Sequence, residues 1–157
     1  MAKVLITYHS SSGNTEKMAE AIEQGAQAAG AEVTRKRVDA LQVEELLEYD
    51  AIVVGSPTYY GSMAANVKKM FDDSVKFHGK LEGKVGGAFS SAANIGGGNE
   101  TVIRGILDAL LIHGMVVQGN HLGDHYGPVS IGSPDERVEK QCVILGERVA
   151  QLAEKLK

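Results

Sequence analysis

The sequence predicts an α/β fold built on an open, doubly wound, five-stranded parallel sheet with helices on both faces. Two observations carry this expectation. Short apolar runs alternate with segments of helical spacing along the chain. Several of those runs are nearly continuous in apolar residues, the pattern of strands covered on both faces rather than one. Helical stretches between them supply the long crossovers that parallel neighbours require, and such crossovers are right-handed.

The strands are expected at Val4–Tyr8, Val33–Val38, Ala51–Gly55, Val85–Phe89 and Met115–Gly119. Helix spacing runs through Thr15–Ala29, where Met18, Ile22 and Ala29 share a face, and through Ala65–Val75 and Glu100–Ile112. A last helix, Asp135–Leu156, carries Val138, Cys142, Leu145, Val149 and Leu152 at steps of three and four. Gln42–Leu47 is read as a short helix between the second and third strands. There are no internal repeats or low-complexity segments.

Composition narrows the function classes. With 157 residues and 43% hydrophobic content, the chain suits one domain with one core. No apolar run is long enough to span a bilayer, and the first residues lack a signal peptide's apolar region, so a cytoplasmic location without membrane insertion is expected. A net charge of −4 argues against a nucleic-acid surface. The one basic run, Arg35-Lys36-Arg37, reads as a solvated strand edge. Cys142 is the only cysteine, can form no intrachain disulfide, and reads as core packing.

A sheet of this type binds ligands beyond the carboxyl ends of its strands, so the residues that follow each strand matter most. After the first strand comes HSSSGNTE, His9 to Glu16. A glycine-containing turn running into a helix start lines up amides and hydroxyls at the positive end of the helix dipole. Ser10, Ser11, Ser12, Gly13, Asn14 and Thr15 would surround one phosphate monoester. No Gly-Lys-Ser/Thr ending is present for a triphosphate, and no GxGxxG for a dinucleotide. The same residues also suit plain helix capping by Ser12 or Asn14.

After the third strand stands GSPTYYGSM, with Pro57 stiffening the turn, Thr58, Tyr59 and Tyr60 following, and Gly61 freeing the backbone. The adjacent tyrosines fit either packing or a platform for a flat ligand. After the fourth strand, SSAANIGGGNE runs from Ser90 to Glu100, and its Gly96-Gly97-Gly98 run lets backbone approach a ligand closely.

The stretch Ile6–Ile22, ITYHSSSGNTEKMAEAI, is similar to the flavodoxin phosphate-loop pattern, with Thr7 departing from it. SPTYYG, FSSAANIGGGNET and HGMVVQG, in this order, resemble the WrbA-type branch of flavodoxin-fold NAD(P)H:quinone oxidoreductases. The resemblance covers nearly the whole chain and implies FMN as cofactor and the flavodoxin-like strand order 2-1-3-4-5. It implies that Ser10, Ser11, Ser12, Gly13, Asn14 and Thr15 hold the FMN phosphate and that Pro57, Thr58, Tyr59, Tyr60 and Gly61 line the ring. Ser91, Ala92, Ala93, Asn94, Ile95, Gly96 and Gly97 would meet its other edge. His113, in IHGMV, matches a family histidine near the flavin and is the candidate catalytic residue. As an isolated histidine it would equally suit the C-terminal end of a helix. NAD(P)H as electron donor, a quinone acceptor and a homodimer or homotetramer enclosing the flavin also follow from the resemblance.

The alternative is a non-catalytic flavodoxin-type carrier serving a redox partner protein. Carriers of this family are strongly acidic around the flavin edge, and the loops here are uncharged apart from Glu16 and Glu100. The chain departs from the reductase branch in having Ser12 where an aromatic is common and no tryptophan at all. Phe77 and His78 are the candidates for the missing wall. His121, Asp124 and His125 stand at ligand-like spacing, but no fourth ligand is near. That loop is expected instead to cover the cofactor or meet a neighbouring chain, with Tyr126 and His125 approaching. A receiver domain would need acidic residues after the first strand, and a low-molecular-weight phosphatase a cysteine in the first loop. Neither is present.

Overall fold

The computed structural model describes residues 1–157. The sheet order is β2-β1-β3-β4-β5, all parallel, with a sixth strand also paired to β4. The strands are β1 (Lys3–Tyr8), β2 (Glu32–Arg37), β3 (Ala51–Pro57), β4 (Val85–Ala92), β5 (Val116–Val117) and β6 (Val129–Ile131). The helices are α1 (Asn14–Ala28), α2 (Ala65–Asp73), α3 (Asn99–Ile112) and α4 (Glu136–Leu156). The expected short helix is a 3₁₀ segment, Val43–Glu48, closed by a reciprocal Gln42–Glu45 capping box.

Period-two alternation distributes each central strand between two cores. Val4, Ile6 and Tyr8 of β1, Ala51 and Val53 of β3, and Val85 and Phe89 of β4 pack under α1 and α4. Leu5, Ile52, Val54 and Ala88 face the other way, against α2 and α3 with Leu46, Met70, Ile103, Ile106 and Leu110. The α1–α4 face is made of small residues. A Cβ on Gly25 would stand 2.1 Å from the Val143 carbonyl oxygen, and one on Gly146 2.0 Å from that of Ile22. The two helices therefore touch backbone to backbone. Cys142 is completely buried in this core, and burial pushes its thiol up to about 12, consistent with a packing role.

The fifth strand departs from expectation. Met115–Gly119 contributes only Val116 and Val117, paired with Val85 and Gly86. The chain then leaves the edge in a self-closed loop, in which Asn120 N–H donates to the His125 carbonyl and His125 Nδ1–H to that of Asn120. It returns as β6 beside Ser90–Ala92. The segment expected to be a covering loop thus supplies the second half of the edge.

Candidate functional site

The parallel register brings the carboxyl ends of β1, β3 and β4 to one mouth, and the three loops named from the sequence meet there. In the first loop Gly13 adopts φ 93° as the N-cap of α1. The Ser10 hydroxyl, nearly buried, accepts from Gly13 N–H at 3.1 Å and Glu16 N–H at 3.4 Å. The amides of Ser11, Ser12, Asn14 and Thr15 donate to no protein acceptor. Four free N–H groups at a helix start, with hydroxyls and no carboxylate among Ser10–Thr15, are the donor set a phosphate monoester requires. The residues present fit FMN.

The second loop is a tight reversal. Tyr59 and Ser62 exchange backbone hydrogen bonds, both 3.0 Å, around Tyr60 (φ 50°) and Gly61 (φ 73°). Positive φ at both central residues marks a type I′ turn, and a tyrosine there is under strain. The sequence paired the two tyrosines in one role, but the structure separates them. Tyr60 stands wholly exposed at the tip. The Tyr59 hydroxyl is tied back to Ser11 Oγ at 2.7 Å. The amides of Tyr60 and Gly61 have no protein acceptor.

The third loop is fastened to the other two. Thr58 N–H and hydroxyl both donate to the Ser91 carbonyl, at 2.8 and 2.9 Å. The buried Ser91 hydroxyl meets that of Thr15 at 2.9 Å. The Thr101 hydroxyl, in the first turn of α3, lies 2.6 Å from the carbonyls of both Gly61 and Gly98. Gly98, at φ 109°, leaves no room for a side chain: its Cβ would sit 2.9 Å from Gly61 Cα. Ala93 to Gly96 close the loop on the surface, where the Asn94 carboxamide donates to the Ile95 carbonyl at 3.0 Å. Tyr126 lies over the first turns of α3, its ring 5.6 Å from the Arg104 guanidinium carbon.

His113 stands apart from this mouth. It caps the C-terminal end of α3, a 14-residue helix of ~21 Å whose other end begins at the third loop. Its Nε2 is 2.7 Å from Ser74 Oγ, its ring stacks on Phe77, and His78 lies 6.0 Å away. Burial, helped by His78, pushes its pKa down. His78 and His113 line a cleft of about 410 Å³ at the far end of the sheet, Phe77 stacks on His113 there, and neither Phe77 nor His78 walls the three loops within the chain. Asp124 is held by Arg137 and the Val129 N–H.

Two further residues stand at the mouth: His9, and Arg37, which was expected on a solvated strand edge with Arg35 and Lys36. Arg35 and Lys36 pair with Glu23 and Glu45 at the sheet edge, as a solvated strand would. Arg37, at the carboxyl end of β2, instead donates to the Ser10 carbonyl at 2.6 Å and lies over Tyr8. Its end-of-strand position was the available signal. His9, first residue after β1, reaches from the first loop to the second, its ring edge-on to that of Tyr59.

A sequence family described as Flavodoxin matches residues 6–103. The chain belongs to the flavodoxin family, and it is an FMN protein of the oxidoreductase class. A relative in Archaeoglobus fulgidus named NAD(P)H dehydrogenase (quinone) is 36% identical, covering 99% of this chain and all of the relative. That alignment, at 190 positions, is longer than the chain, so the relative carries insertions absent here. A relative in Aquifex aeolicus named Flavodoxin is 41% identical over 96% of this chain and 86% of its own length. The solved structure of a WrbA-like flavodoxin from Agrobacterium tumefaciens superimposes with a TM-score of 0.86 at 29% identity, covering both chains fully. No helix is long and apolar enough to cross a membrane.

Proposed function

We propose that this protein takes two electrons from NAD(P)H and passes them to a quinone-type acceptor. FMN, when bound, supplies the hydride-accepting and electron-passing chemistry. The chain's part is to bind, orient and admit. The four free amides and the hydroxyls of Ser10–Thr15 hold the phosphate. Thr58 to Gly61 and Ser91 to Gly97 grip the ring through amides and the exposed tyrosine, leaving one face open for two flat reactants in turn.

The observation that carries this reading is the charge around the mouth. Lys17, Arg37 and Arg104 stand on its rim, and none forms an ion pair. Three carboxylates share the mouth with them: Glu16, which accepts from the Tyr8 hydroxyl at 2.8 Å, Asp39, which accepts from Asn66, and Glu100 in the first turn of α3. Three cations thus stand against three carboxylates, and a mouth with no acidic excess lacks the field that would dock a basic partner protein, which favours small-molecule reactants. The relatives named NAD(P)H dehydrogenase (quinone), four of them at 36 to 44% identity, support the same assignment. A homodimer or homotetramer accompanies it, since Tyr60, Ile95 and Leu122 leave apolar surface uncovered near the mouth.

The second reading, an electron carrier, rests on the relatives named Flavodoxin. Anaerobic mixing separates the two. Rapid bleaching of the FMN-loaded protein by NADH or NADPH, with colour restored by benzoquinone, is expected. Failure of both nicotinamides to bleach it would assign the carrier role. Light scattering reads the assembly.

A further inference from the structure

A continuous hydrogen-bonded chain enters the mouth from the side, through Asp39, Asn66 and His9, none of which has an assigned role. Asp39, in the 3₁₀ turn after β2, accepts from Asn66 Nδ2 at 2.8 Å. The same Nδ2 lies 2.8 Å from His9 Nδ1. His9 Nε2 is 3.2 Å from Ser11 Oγ, and Ser11 Oγ is 2.7 Å from the Tyr59 hydroxyl. The His9 ring also meets the Tyr59 ring edge-on, with centroids 6.1 Å apart.

The directions of these bonds follow from Asp39. A carboxylate only accepts, so the Asn66 carboxamide must turn its NH₂ toward it. This orientation holds even though it leaves Asn66 Oδ1 buried with no partner. The second hydrogen of that NH₂ points at His9 Nδ1, which must therefore be the bare, accepting nitrogen. A neutral ring then carries its proton on Nε2 and donates to Ser11. Ser11 and Tyr59 own two hydroxyl protons, and their mutual bond uses one. With His9 donating, the other is left to point outward. In the opposite tautomer Nε2 would accept the Ser11 proton, Tyr59 would donate to Ser11, and none would remain.

We infer that His9, set by Asn66 and Asp39, is a positioning residue that keeps the Ser11–Tyr59 pair a hydrogen-bond donor toward the phosphate of the bound flavin nucleotide. The inference rests on the reading that the first loop holds that phosphate. It makes Tyr59 part of the phosphate cradle, and it leaves Tyr60 as the aromatic free to meet the ring.

The test exchanges the two ends of the relay. Asp39→Asn with Asn66→Asp keeps net charge and size, yet gives His9 Nδ1 an acceptor in place of a donor. Assayed at pH 9, the exchanged variant carries the ring proton on Nδ1, and Nε2 takes the Ser11 proton. FMN and riboflavin affinities are measured by flavin fluorescence quenching on the native apoprotein and the exchanged variant. FMN affinity is expected to fall about tenfold or more, as for one lost bond to a charged acceptor, with riboflavin changed less than about twofold. Equal losses for both flavins, or an unchanged FMN affinity, would overturn the inference. Nitrogen-15 NMR of the native protein decides independently of the variant's folding: a proton on His9 Nε2 supports it, and one on Nδ1 refutes it. A native protein that binds FMN but carries the Nδ1 tautomer loses this inference alone. One that takes up no FMN loses the functional reading as well.

Discussion

Two histidines, one at each end of the sheet, show how the same residue type is put to different uses. His9 at the mouth has both ring nitrogens engaged, by Asn66 and Ser11, and its ring meets that of Tyr59 from the second loop. His113 at the opposite end is buried, bonds Ser74 through Nε2, and leaves Nδ1 with no partner. Ser74 donates its own proton to the Phe71 carbonyl, so it must accept from His113. One histidine organises donors toward a ligand, while the other closes the joint between α3 and the 3₁₀ turn Ser74–Phe77. The carboxyl ends of parallel strands gather free amides, and the amino ends gather packed turns.

The comparison breaks most visibly at Gly98. Gly98→Val puts a side chain into the Gly61 backbone at positive φ, and the second and third loops must part. FMN affinity is expected to fall about 100-fold, with stability lower by about 1–3 kcal/mol; titration and thermal melting check both. Unchanged FMN binding would show that the loops need not touch.

His113→Ala is expected to do the reverse. It strips a partner from buried Ser74 and opens a cavity, costing about 1–3 kcal/mol of stability while FMN affinity stays within about twofold. Denaturant melts beside flavin titration read the contrast.

The pH dependence belongs to the same end. Burial holds His113 below the ordinary histidine value, so it is neutral in the fold while the unfolded chain still takes up a proton near pH ~6.5. Acid therefore favours the unfolded state: stability present above about pH 6.5 is lost as pH falls through and below that value. The loss should be smaller in His113→Phe, measured by urea midpoints at pH 7.5 and 5.5.

The smallest effect is expected at the rim. Arg37→Gln keeps a donor for the Ser10 carbonyl but removes an unpaired cation. It should raise KM for the nicotinamide donor about threefold at low ionic strength, and the difference should shrink in salt, with kcat little changed. A change in kcat alone would place Arg37 elsewhere in the function.

The three loops were legible because each stands directly after a near-continuous apolar run, where strand polarity and glycine, serine and proline signals coincide. Ser10–Thr15, Thr58–Gly61 and Ser91–Gly97 accordingly come together. His113 was misleading because its motif match outweighed its place: it ends a crossover helix, and in a parallel sheet such helices finish at the amino ends of the strands, opposite the three loops. The split edge strand escaped notice for a related reason. Val129–Ile131 is too short to carry a period, and it pairs only because Gly127 lets the chain return against the Ala88 carbonyl.

By itself, the sequence determined the alternation of strand and helix, the two-sided burial of the central strands and the chemistry offered at each strand end, since these depend on local pattern and side-chain type. Tertiary structure alone decided which hydroxyls spend their protons on each other, which tyrosine remains free, and where Arg37, His9 and His113 stand relative to the mouth. Those are contacts between residues up to 76 positions apart, such as Thr15 with Ser91. Hydrogen-bond direction at such contacts is fixed only when every neighbour is in place.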